Sequence, residues 1–240
     1  MSAPLSDATR SALGTVSVAT LATALFKRGL RHQVIQGVRP VAPKGRVMVG
    51  PAFTLRYVPA REDRNGLEVF RDPAHPQRAA VERCPPGHVL VMDSRKDARA
   101  ASAGDILVTR LMMRGVAGMV TDGGLRDAAT IGALDIPAYH QRPSSPTNLT
   151  LHEAIALDEP IGCGDAPVFP GDVIVGDDDC VIVIPAHLAD EVAAEAVEMT
   201  AYEDFVAERV RAGDSIIGLY PCTRDEHRKA FEQWRRAEGR

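Results

Sequence analysis

Three consecutive segments, HVLVMDS (His88 to Ser94), GDILVTRLMMRG (Gly104 to Gly115) and VAGMVTDGG (Val116 to Gly124), constrain this chain more than any other feature. The first and third are short apolar runs that read as buried strands, and the second has the length and composition of a helix. Two strands joined through one helix pair in parallel with a right-handed crossover. Their carboxyl ends then share one sheet edge, where ligands of open α/β sheets bind.

The surrounding chain extends this α/β core. Leu13, Val16, Leu21 and Leu25 follow a helical spacing that closes at Gly29, predicting one N-terminal helix from Ser6 to about Arg28. From His32 to Pro59, short β-branched runs broken by Gly and Pro predict strands with tight turns. Arg61 to Pro86 is polar and proline-rich, and reads as a surface excursion with at most a short helix. Strands are expected around Ile161 and Val168 and in DVIVGDD and CVIVIP. Helices follow from Ala186 to about Ala212 and from Arg224 to Ala237.

With 240 residues, the chain is long enough for a substantial core and short enough for one domain, 1–240. Its core spans about 15–185, and a C-terminal helical extension covers about 186–240. The 28 basic and 32 acidic side chains are intermixed, for a formal charge of −4, so no basic block exists to follow a phosphate backbone and nucleic acid is not an expected partner. No apolar run approaches the ~20 residues of a membrane helix. The N-terminus has no basic segment followed by an apolar one, so the expected location is the cytoplasm. Cys84, Cys163, Cys180 and Cys222 have no CxxC spacing and are expected to be free thiols.

Charged residues sit at element ends in this core. Asp105 opens the helix, where a carboxylate complements the helix dipole. Arg126 and Asp127 follow the Gly123–Gly124 turn at the end of the second strand, on the same edge as Asp105. An isolated Arg–Asp pair is ordinarily a solvated ion pair of little energetic consequence. The glycine turn and the shared edge make a binding role equally plausible for this pair.

Asp105, 20 intervening residues and Arg126–Asp127 resemble the signature of the class II 4-hydroxy-4-methyl-2-oxoglutarate aldolase superfamily, which also contains the regulator of ribonuclease activity A. QGVRPVAP, GDILVTRLMMRGVAGMVTDGGLRD, LDIPAY and PGDVIVGDDDCVIVIP carry the similarity in order, from about Thr15 to Pro185. The resemblance implies a swivelling β/β/α-type fold, trimers or hexamers with an intersubunit site, and a metal-dependent lyase that cleaves a carbon–carbon bond of a small 2-oxo acid. It implies that Asp127 holds magnesium or manganese largely through waters. Arg126 would contact the substrate, Asp105 would orient a water, and Gly104, Asp105, Ile106 and Leu107 would offer backbone amides to the substrate carboxylate.

Physical chemistry is consistent with these assignments, because a helix N-terminus has unsatisfied N–H donors and magnesium needs few protein carboxylates. The same enolate chemistry serves retro-aldol cleavage and oxaloacetate decarboxylation, both of which release pyruvate.

The sequence also departs from the resemblance. Thr130 stands where catalytic members carry an acid, and Ala22–Thr23 stands where Ser–Asp is expected. Glu203, Glu208 and Asp204 are candidates for the glutamate that a neighbouring subunit contributes, although each reads individually as a helix-surface charge. GLYP, within GDSIIGLYPC, is a candidate segment for docking on a neighbour. Two other functions remain: a non-catalytic protein-binding ring, like the ribonuclease regulator, and a dehydratase or hydrolase of a sugar-derived 2-oxo acid.

Overall fold

A computed structural model describes residues 5–240. In chain order the elements are α1 (Asp7–Leu13), α2 (Val18–Lys27), β1 (Arg39–Pro40), β2 (Met48–Pro59), α3 (Pro76–Arg83), β3 (Val89–Asp93), β4 (Ala101–Ala103) and α4 (Asp105–Met113). They continue with β5 (Gly118–Thr121), β6 (Gly124–Leu125), α5 (Ala128–Ala133), β7 (Ala138–His140), β8 (Arg142–Pro143), β9 (His152–Leu157) and β10 (Ile161–Cys163). The last are β11 (Ala166–Val168), β12 (Val173–Gly176), β13 (Val181–Ile184), α6 (Ala189–Arg211) and α7 (Asp225–Glu238).

The main sheet runs β1-β7-β5-β3-β2-β12-β13, with β9 also on β2. β2, β3, β5 and β7 pair in parallel, and the outer pairings are antiparallel. The predicted strand–helix–strand unit is present, with Val89 opposite Gly118 and α4 between the strands. β4, β6 and β8 form a second, small parallel sheet that continues the chain past the ends of β3 and β5.

Strand alternation distributes the buried side chains between layers. On β3, Leu90 and Met92 pack beneath α3, α4 and α5, whereas Val89 and Val91 face an inner core with Ile174, Val181 and Val183. On β13, Ile182 and Ile184 turn outward beneath α1, α2 and the first half of α6. Both faces are covered, which explains why these strands read as unbroken apolar runs. The second half of α6 packs with α7 through Phe205, Phe231, Trp234 and the wholly buried Leu219.

Several expectations require correction. The N-terminal helix is two helices, because Ser17 ends the intervening turn and caps α2 by accepting from the Thr20 amide at 3.1 Å. Asp177, in the β12–β13 turn, also accepts from the Val18 amide at 2.8 Å, so the hairpin between the two expected strands helps to position α2. Arg61 to Pro86 is more than a surface excursion: Pro76 starts α3, which buries Ala79, Ala80 and Val81, and Cys84 just beyond it is also buried. The Leu111–Met113 stretch, whose apolar side chains fit a buried helix face in the sequence, buries Leu111 but projects Met113 into solvent. β4, β6, α5, β7, β8 and β9 have no counterpart among the predicted elements. All four cysteines are free, two of them buried.

Candidate active site

α4 begins where β4 ends. Gly104 occupies the N-cap position in an extended conformation and supplies no side-chain cap, in contrast to Ser6 and Ser17 at α1 and α2. The first intrahelical bond runs from the Val108 amide to the Gly104 carbonyl at 3.2 Å, so the amides before Val108 lack helical acceptors. Asp105 accepts the Ile106 amide at 2.8 Å, which satisfies one of them locally.

The second half of the site arrives through β6. The Arg126 amide donates to the Ala103 carbonyl at 3.1 Å, fastening the end of β6 to the end of β4. Asp127 adopts a left-handed conformation, φ 56°, and starts α5 without a side-chain cap bond. Asp is among the few non-glycine residues that enter this region readily. The turn leaves Arg126 Nε 3.4 Å from Asp127 Oδ2, with both side chains close to half exposed. A Cβ at residue 104 would lie 2.7 Å from that Nε and 2.9 Å from that oxygen, so the Gly104 backbone abuts both groups.

A cavity of about 530 Å³ opens beside this junction. Gly104, Ile106, Leu107 and Arg126 line one side. Leu67, Phe70, Gln77, Arg78, Ala101, Ala103, Thr147 and Asn148 complete it. The structure therefore brings four of the sequence-predicted residues to one cavity and sets Asp127 against Gly104 at its edge. Asp105 lies one residue away but is not part of the wall, because its carboxylate turns back to its own helix.

The α3 contribution was not among the predicted site residues. Its recoverable signal was Pro76 followed by Ala80 and Cys84 at helical spacing, which marks a helix with a buried face. Gln77 is 3% exposed and donates to the Ser102 carbonyl at 2.7 Å and to Asn148 Oδ1 at 3.2 Å. His75, just before α3, has its pKa lowered, chiefly by burial and then by the charge of Arg78.

The C-terminal candidates are engaged within their own chain. Glu203 accepts from Thr20 at 2.8 Å, Glu208 from the Trp234 indole at 2.8 Å, and Asp204 pairs with Arg240 at 2.7 Å. In GLYP, Leu219 is buried against Phe205 and Val206, whereas Tyr220 is half exposed. Thr130 is exposed on α5, and Thr23 bonds the Ala19 carbonyl at 3.1 Å.

The RraA-like family, described as Aldolase/RraA, matches residues 3–183. The chain belongs to this family. It is 31% identical over 185 residues to a protein of Halalkalibacterium halodurans provisionally named 4-hydroxy-4-methyl-2-oxoglutarate aldolase, covering 76% of this chain and 79% of that one. Among solved structures it resembles Streptomyces coelicolor RraAS2, described as an unusual member of the RNase ES inhibitor RraA protein family. That match has 29% identity and a TM-score of 0.74, covering 85% of this chain and 97% of that one. An uncharacterised Pseudomonas syringae protein shares the fold at 23% identity and a TM-score of 0.77, covering 91% of this chain and 99% of that one. The α/β fold expected for this RraA-like chain is thus the fold it has. No described helix is long and apolar enough to cross a membrane.

Proposed function

We propose that this RraA-like protein is a divalent-metal-dependent lyase that cleaves a carbon–carbon bond of a small 2-oxo acid and releases pyruvate. The observation that supports this most directly is the convergence of an uncapped helix N-terminus and the Arg126 guanidinium on one cavity, with the Asp127 carboxylate against Gly104. The site belongs to a homo-oligomer, a trimer or hexamer, in this reading.

The donor set suits magnesium or manganese better than zinc. Among the described residues no three His, Cys, Asp or Glu side chains cluster to form a closed site. Asp127 is free of any capping bond and partly exposed, and one carboxylate suffices for an ion that keeps its waters and gains oxygens from the substrate. When bound, such an ion supplies Lewis acidity to the 2-oxo group, where negative charge gathers as the C3–C4 bond breaks.

The chain's own groups bind and orient the substrate. The first turn of α4 offers N–H donors to the substrate carboxylate, reinforced by the helix dipole. Arg126 adds planar donors that follow the charge from the ground state toward the enolate. For a 4-hydroxy acid, the C4 hydroxyl proton goes to a base and C3 later takes a proton. Asp105 stands just outside the cavity wall and serves the second proton only through a water held on Oδ2, which has no hydrogen-bond partner among the described residues.

Pyruvate release from 4-hydroxy-2-oxo acids and from oxaloacetate, followed with magnesium present and after chelation, tests the proposal. Metal-dependent release is expected. Its absence across these substrates in a folded oligomer would favour the protein-binding reading that the resemblance to RraAS2 also allows.

A further inference from the structure

The cavity contains a second arginine that the cleavage chemistry leaves unused. Arg78, on α3, lines the same cavity as the start of α4, and its guanidinium carbon sits 4.3 Å from the Phe70 ring centroid. The ring fixes the guanidinium plane. Among the described residues no carboxylate pairs with Arg78. Its pKa is lowered chiefly by burial, and the nearby positive charge of Arg126 lowers it further.

Among the described residues, the wall contains two cations and no acidic side chain. A partly buried guanidinium without a counter-ion is costly, and a second one within Coulombic reach adds to that cost. A bound anion removes both penalties. The adjoining surface is polar: Gln77 and Asn148 are 3% and 2% exposed, and Gln77 Oε1 is buried with no partner. Buried carboxamides thus stand in the same lining as Arg78, alongside the apolar Leu67 and Phe70.

We infer that Arg78 is the specificity-determining residue of this cavity, where it reads a second carboxylate on the substrate, distinct from the 2-oxo acid group held by Arg126. The guanidinium braced on Phe70 offers that carboxylate paired donors, and the Gln77–Asn148 wall excludes an alkyl tail. The inference rests on the lyase reading for the reaction being served, but not for the binding it predicts.

The test compares 2-oxoglutarate with 2-oxopentanoate, which have equal chain length and differ in the terminal carboxylate. Titration calorimetry on the intact protein with magnesium would use the wild type, Arg78→Met and Arg78→Lys, with thermal melting as a control for folding. The wild type is expected to bind 2-oxoglutarate at least ~10-fold more tightly, the scale of one charge-assisted bidentate contact. Arg78→Met should abolish that preference while leaving 2-oxopentanoate affinity within about twofold, and Arg78→Lys should retain part of it. If Arg78→Met does not fold, partial loss in Arg78→Lys carries the same test.

Equal binding of the two acids by the wild type, or a preference that survives in Arg78→Met, overturns the inference. Failure of the lyase reading would look different. A preserved preference without pyruvate release removes the proposed reaction and leaves Arg78 in its role, whereas pyruvate release without any preference removes Arg78 alone.

Discussion

Gly104 and Arg126 are neighbours only because residue 104 has no side chain: a Cβ there would fall 2.7 Å from Nε of Arg126 and 3.0 Å from its Cγ. The start of α4 and the end of β6 are thereby fixed against each other, and the Ala103–Arg126 backbone bond locks the same junction.

Gly104→Ala should displace the Arg126 side chain without unfolding the chain, because residue 104 has ordinary extended backbone that alanine adopts. Pyruvate release per enzyme is expected to fall by roughly 10- to 100-fold, the scale of a small misplacement of a catalytic group. Steady-state kinetics with a melting control would decide this. Wild-type turnover in the alanine variant would show that Arg126 placement is unimportant.

Asp127→Asn retains size and removes the charge proposed to hold the ion. The left-handed turn at residue 127 also accepts asparagine, so the fold should persist. The magnesium concentration for half-maximal activity should rise by about 10-fold or more, the scale of losing a group that holds the ion through its waters. An unchanged metal titration would remove Asp127 from that role.

The fold was legible where strands are covered on both faces and read as continuous apolar runs. β3, β5, β12 and β13 read directly from runs rich in Val, Ile, Leu and Met. β4 and β6 escaped because they are only three and two residues long and acquire their strand character from pairing with each other. The α1–α2 break escaped because apolar periodicity passes straight through Gly14 to Val16, whereas the decisive signal was the Ser17 cap. For the site, Gly104, Ile106, Leu107 and Arg126 were recoverable from one contiguous segment. Arg78 was not, because a charge in a polar, proline-rich stretch resembles a solvated one until α3 is packed beneath it.

His140, at the end of β7, is 3% exposed, and its Nδ1 is buried without a partner. Burial chiefly, aided by the charge of Arg39, lowers its pKa from 6.5 to about 4. The unfolded chain thus takes up this proton near pH 6.5 and the folded chain only near pH 4. Between those values the unfolded state binds more protons, so this residue makes stability fall as pH drops, by up to about 1.4 kcal/mol per pH unit. His140→Phe should remove this contribution. Denaturant unfolding at pH 7 and pH 5 should show a larger acid-induced loss in the wild type than in the variant, and equal losses would contradict the assignment.

In the proposed lyase, Arg126 works on the substrate in this cavity instead of merely pairing with Asp127 at the surface. The most direct measurement is steady-state pyruvate release by wild type and Arg126→Lys, with magnesium, on a 2-oxo acid that the wild type cleaves. Lysine keeps the charge but loses the planar donors, so kcat/KM should fall by roughly one to three orders of magnitude while the melting temperature stays close to that of the wild type. A surface ion pair is worth little and tolerates the exchange. Near-wild-type turnover in Arg126→Lys would contradict the account.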